Sequence, residues 1–111
     1  MTIYHKELKK RWNNLSLVEQ LSNVGSEVER VLYWKEKGNI EYTTLAFERA
    51  LESLDYTNEK IDDFYRLKEH KRLREVLVDY FAGQNIYNSS PKLFRNYFYG
   101  FNYAASLSRS R

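Results

Sequence analysis

From Leu17 to Val31 the apolar side chains fall at intervals of four, three, four and three residues: Leu17, Leu21, Val24, Val28 and Val31. A helix turns about 100° per residue, so this spacing gathers all five into one stripe and predicts an amphipathic helix. Ser16 and Glu19 open it as a capping box, the hydroxyl taking one unpaired backbone N–H and the carboxylate another. The helix is expected to end near Lys37, where Gly38 suits the left-handed terminal position. Asn39 then caps a second helix, from Ile40 to about Leu54, with Phe47, Ala50, Leu51 and Leu54 on its apolar side and Leu45 and Ala46 at the margins. So short a link folds the two helices into an antiparallel hairpin.

From Asp55 to Tyr65 the pattern weakens, because Thr57 and Asn58 are turn formers or caps, although Ile61, Phe64 and Tyr65 could open a third helix early. It recovers from Leu67, with Leu73, Val76, Leu77, Tyr80 and Phe81 on one side and Lys68, Lys71, Arg72 and Glu75 on the other. Gly83 ends this helix. After a loop from Gln84 to Ser89, Ser90 and Pro91 supply a cap and a proline at the first helical position, where its missing N–H does no harm. The fourth helix, running to about Leu107, is aromatic on two faces. Phe94, Tyr97, Phe98, Phe101 and Ala105 form the expected core stripe; Tyr99 and Tyr103 project from the opposite side near Lys92, Arg95 and Asn96.

The expected fold is all-α, an antiparallel up-down four-helix bundle spanning residues 16–107. A short basic arm (1–15) precedes it, on which Ile3, Tyr4, Leu8 and Trp12 could lie against the body, and a frayed tail (108–111) follows. Gly25 and Ser26 interrupt the first helix with small side chains. Either another backbone comes close there, or the glycine is tolerated at roughly 1 kcal/mol against alanine.

A length of 111 residues suits one domain, and 16% aromatic content is far too high for a disordered chain. With one proline and four glycines, little loop is left for a many-stranded fold. The absence of cysteine removes disulfides, thiolate nucleophiles and thiolate metal ligands, and points to the cytoplasm. No apolar run reaches membrane-spanning length. The net charge of +3 hides a segregation: residues 1–18 carry +3, residues 19–63 carry −6 and residues 64–111 carry +6. Such halves attract each other within a fold or between copies, or leave a basic side for an acidic partner.

In order along the chain, SEVERVLYWKEKGN, LAFERALESLD, LREVLVDYF and YFYGFNYAA resemble the shared blocks of a family of small uncharacterised prokaryotic all-helical proteins, over about Trp12 to Leu107. The resemblance implies a single helical domain and brings no active site with it. KGNIEYTTLAFERALE also looks like part of a tetratricopeptide repeat, but no second copy follows at that family's spacing.

Candidate chemistry is sparse. The two histidines, His5 and His70, belong to no metal motif, and Glu48 with Glu52 lacks the histidine partner of a di-iron site. Arg66 and His70, one turn apart, could cut RNA by proton transfer and phosphate stabilisation, although helical RNases of the HEPN class space these residues more widely; the plainer role is a packed, hydrogen-bonded histidine. No catalytic residue, metal, cofactor or small-molecule substrate is expected. Lys92, Arg95, Tyr99 and Tyr103 are the expected partner-binding residues, for another protein or a second copy, since Tyr and Arg carry much of the energy of many interfaces. Lys68, Lys71, Arg72 and Arg74 are the candidate nucleic-acid contacts, set against a solvated face in which Lys71 pairs with Glu75.

Overall fold

The computed structural model describes Trp12 and residues 14–109, and these form four helices: α1 (Leu17–Glu36), α2 (Ile40–Glu59), α3 (Phe64–Ala82) and α4 (Pro91–Arg109). They build the expected all-α four-helix bundle. Helix α1 packs against both α2 and α4, and α2 against α3. Cross-helix pairs fix the directions. Arg49 meets Glu27 and Tyr42 meets Trp34, so α2 runs back along α1. Arg95 meets Glu29 while Asn102 meets Ser22, so α4 does the same on the other side.

The local signals act as their chemistry requires. Ser16 and Glu19 form both bonds of the capping box, and Gly38 takes φ +75° after α1. The Asn39 side chain accepts from the Tyr42 N–H, and the Ser90 hydroxyl from the Leu93 N–H beyond Pro91. The apolar stripes face inward: Leu21, Val24, Val28 and Val31 of α1 join Ala46, Ala50 and Leu54 of α2, Leu73 and Leu77 of α3, and Phe94 and Phe98 of α4. Each fully buried leucine contributes on the order of 1.5–3 kcal/mol.

One boundary differs from expectation, and one left open is now fixed. Helix α2 continues past Leu54 to Glu59, because Thr57 is buried inside it and not turning the chain. Its hydroxyl donates to the Ser53 carbonyl and accepts the indole N–H of Trp12, at 2.8 Å. Helix α3 opens at Phe64, where the Asp63 carboxylate accepts from the Arg66 N–H. Of the predicted arm, Trp12 is a core residue, and its carbonyl accepts from the Gln20 amide; residues 1–11 and 13 lie outside the described residues.

Gly25 is needed for packing. A Cβ added there would stand 2.9 Å from the Cβ and Cγ of Phe98, so α4 seats its central aromatic directly on the α1 backbone. The loop after α3 is tied down by Asp79, whose carboxylate accepts from the N–H groups of Ile86 and Tyr87. Asn85 and Asn88 take the left-handed conformation that asparagine tolerates.

Candidate interaction site

Helix α4 is turned by its buried residues. With Phe94, Phe98 and Ala105 sealed against α1 and the core, the 100° advance places Lys92, Asn96, Tyr99, Gly100, Tyr103 and Leu107 away from the core, and all six are exposed. Tyr99 and Tyr103 are 69% and 59% exposed, and their rings lie nearly parallel at 15° with centroids 6.5 Å apart. The pair makes an aromatic ridge. A groove of about 270 Å³ beside it, between α1 and α4, is lined by Gly25, Val28, Leu32, Phe98 and Tyr99, among others. On the other side Leu93 borders a second groove of about 250 Å³, shared with α3.

Of the four residues expected to bind a partner, three are free to do so and one is engaged. Arg95 grips Glu29 of α1 with two hydrogen bonds, at 2.6 and 3.4 Å, and these bonds to the carboxylate raise the guanidinium's hold on its proton. Its charge is thereby balanced within the fold, leaving Lys92 as the cation beside the ridge.

The basic residues of α3 divide likewise. Arg74 is held by Asp55 of α2 at 2.8 and 3.3 Å, and the two hydrogen bonds raise its affinity for the proton. Lys68, Lys71 and Arg72 are exposed, and they line a groove of about 390 Å³ with Phe64, Leu67 and Glu75. Glu75 accepts the hydroxyl of Tyr87, and no ion pair joins it to Lys71. At the start of α3 the exposed rings of Phe64 and Tyr65 meet edge to face.

His70 is only 2% exposed and borders a cavity of about 210 Å³ with Leu17, Val18, Leu21, Arg66, Glu69 and Phe101. The sequence suggested a hydrogen-bonded histidine at the core boundary. Its Nδ1 is instead buried without a protein partner. Burial holds the imidazole below its ordinary 6.5, against the attraction of Glu69 and helped by Arg66. Glu69 also accepts the hydroxyl of Tyr97, and burial followed by that carboxylate pushes the phenol upward. Glu52, considered earlier as a metal ligand, accepts the hydroxyl of Tyr56. Among the described residues no three His, Asp or Glu side chains cluster as a metal site, and no helix is long and apolar enough to cross a membrane.

Sequence reasoning found the ridge through helical periodicity. It missed the grooves beside it and the partners of Arg74 and Arg95, which lie 19 and 66 residues away in the chain. Set against known proteins, the chain matches no protein-family model, no curated protein and no solved structure.

Proposed function

We propose that this chain is a non-catalytic protein-interaction module that self-associates through the outer face of α4. One observation carries the reading: the fold leaves Tyr99 and Tyr103 uncovered as an ordered pair while Glu29 neutralises the arginine beside them. An exposed aromatic ridge with little net charge suits another protein surface better than a phosphate backbone. The module works without metal, cofactor or small-molecule substrate, and we expect it in the cytoplasm.

The second reading is an accessory RNA- or single-stranded-DNA-binding protein. It is favoured by the α3 groove, where Lys68, Lys71 and Arg72 lie with Phe64, a combination of cations and an aromatic ring suited to a single strand. Few cations remain for it, since Arg74 and Arg95 are committed to Asp55 and Glu29.

Sedimentation velocity separates the two. Self-association is expected to persist at high salt and to vanish in the Tyr99→Ser, Tyr103→Ser double variant with its helical circular dichroism intact. A monomer at millimolar concentration overturns the first reading. A gel shift with RNA or single-stranded DNA that disappears steeply as salt rises would replace it with the second.

A further inference from the structure

Gly100 has no intramolecular reason to be glycine. It lies in mid-helix, is exposed, and a Cβ added there would meet nothing within 4 Å, yet glycine at such a position costs roughly 1 kcal/mol against alanine. Around it the two leucines of the outer face of α4 stand at equal distances. Leu93 stands seven residues before Gly100 and Leu107 seven after, with Asn96 and Tyr103 four before and three after. All five positions are exposed, and their spacing of three, four, three and four residues is that of a helix-docking seam. None of them is charged. Lys92, next to Leu93, is the cation at the start of the stripe.

Resting on the self-association reading, we infer that the occupant of this face is α4 of a second copy, crossing antiparallel with Gly100 over Gly100. A two-fold axis through that point pairs Leu93 of each copy with Leu107 of the other and brings Asn96 within one residue of the level of the other's Tyr103. An interface of this kind requires a self-complementary patch. A parallel pair would need no symmetry along the helix, so the balanced positions of the two leucines favour the antiparallel choice, as do the opposed helix dipoles. The missing Cβ lets the two backbones approach where their axes cross, and the flanking grooves receive side chains of the opposite ridge.

The area sets the strength. Tyr103 at 59% exposure, the leucines at 54% and 47%, and Tyr99 at 69% on the flank of the seam expose roughly 500 Å² per copy, so a pair buries at most about 1,000 Å², below the usual range for stable complexes. The dimer is therefore weak and reversible, with dissociation in the micromolar range or above. A nearly uncharged seam makes it insensitive to salt.

The experiment uses the intact chain, which contains no cysteine. Sedimentation equilibrium is run on the parent and on Gly100→Gln, beside thermal melts of both. Gln is a better helix former than glycine and meets open space in the monomer, so this variant should melt higher while its dimer weakens tenfold or more. Separately prepared Leu93→Cys and Leu107→Cys proteins are then oxidised alone and mixed. The mixture should give the cross-linked dimer in excess over either variant alone, because a disulfide needs the two Cα atoms within about 7 Å. If each variant instead cross-links to itself, or if Gly100→Gln dimerises as well as the parent, the antiparallel crossing is wrong. Should the Tyr99→Ser, Tyr103→Ser variant be monomeric at the same time, the self-association reading still stands. A parent chain that never dimerises removes both.

Discussion

Helices α1 and α4 each carry a glycine in mid-span, and the two meet opposite surroundings. Gly25 lies under Phe98, so close that one methyl group would collide with the ring's first carbons; Gly100 faces open space. The same residue type thus serves packing at one site and is unaccounted for by the monomer at the other. The two faces of α4 differ in the same way. On the inner side Phe94 and Phe98 are sealed; on the outer side Tyr99 and Tyr103 are bare. Aromatic content alone cannot separate core from contact surface, and the arrangement around each ring does.

Substitutions can break this contrast. Phe98→Ala should cost the fold about 3–5 kcal/mol in chemical denaturation, since it empties a site that α1 has shaped for the ring. Gly25→Ala should cost about 1–3 kcal/mol by overpacking, offset in part by roughly 1 kcal/mol of helix propensity; a gain in stability would show that the seat of Phe98 is loose. Gly100→Ala should stabilise the monomer by up to about 1 kcal/mol, opposite in sign to Gly25→Ala. Replacing Tyr99 and Tyr103 by serine should shift monomer stability by only about 0.5 kcal/mol each.

His70 sharpens the inner side through pH. Its folded value lies below the ordinary 6.5, so the unfolded chain takes up a proton that the folded one resists. Stability is therefore full above about pH 6.5 and declines as the pH falls through that point toward the lowered folded value. In His70→Gln melts the decline over this window should be shallower than in the parent; identical slopes would refute the assignment.

What the sequence made legible was local. Ser16, Gly38, Asn39, Ser90 and Pro91 act within a few residues of themselves, and helical periodicity separated Phe98 from Tyr99 because burial follows the turn of the helix. What escaped it depended on distance. Thr57 was read as a turn former because its local preference points that way, whereas its burial beside Trp12 is decided 45 residues upstream. Arg95 resembled a free cation until Glu29 lay across from it. Of the candidate site, the tyrosines were legible and the neutralisation of their neighbour was not.

The indole clasp between Trp12 and Thr57 makes the protein its own optical gauge. Trp12 sits before the start of α1 and Trp34 near its other end, in an edge contact with Tyr42. Release of the first would bathe a sealed ring in water and redden its emission, while the second tracks the far end of the hairpin. A leading segment that lets go before the hairpin opens would therefore announce itself as two colour changes in place of one.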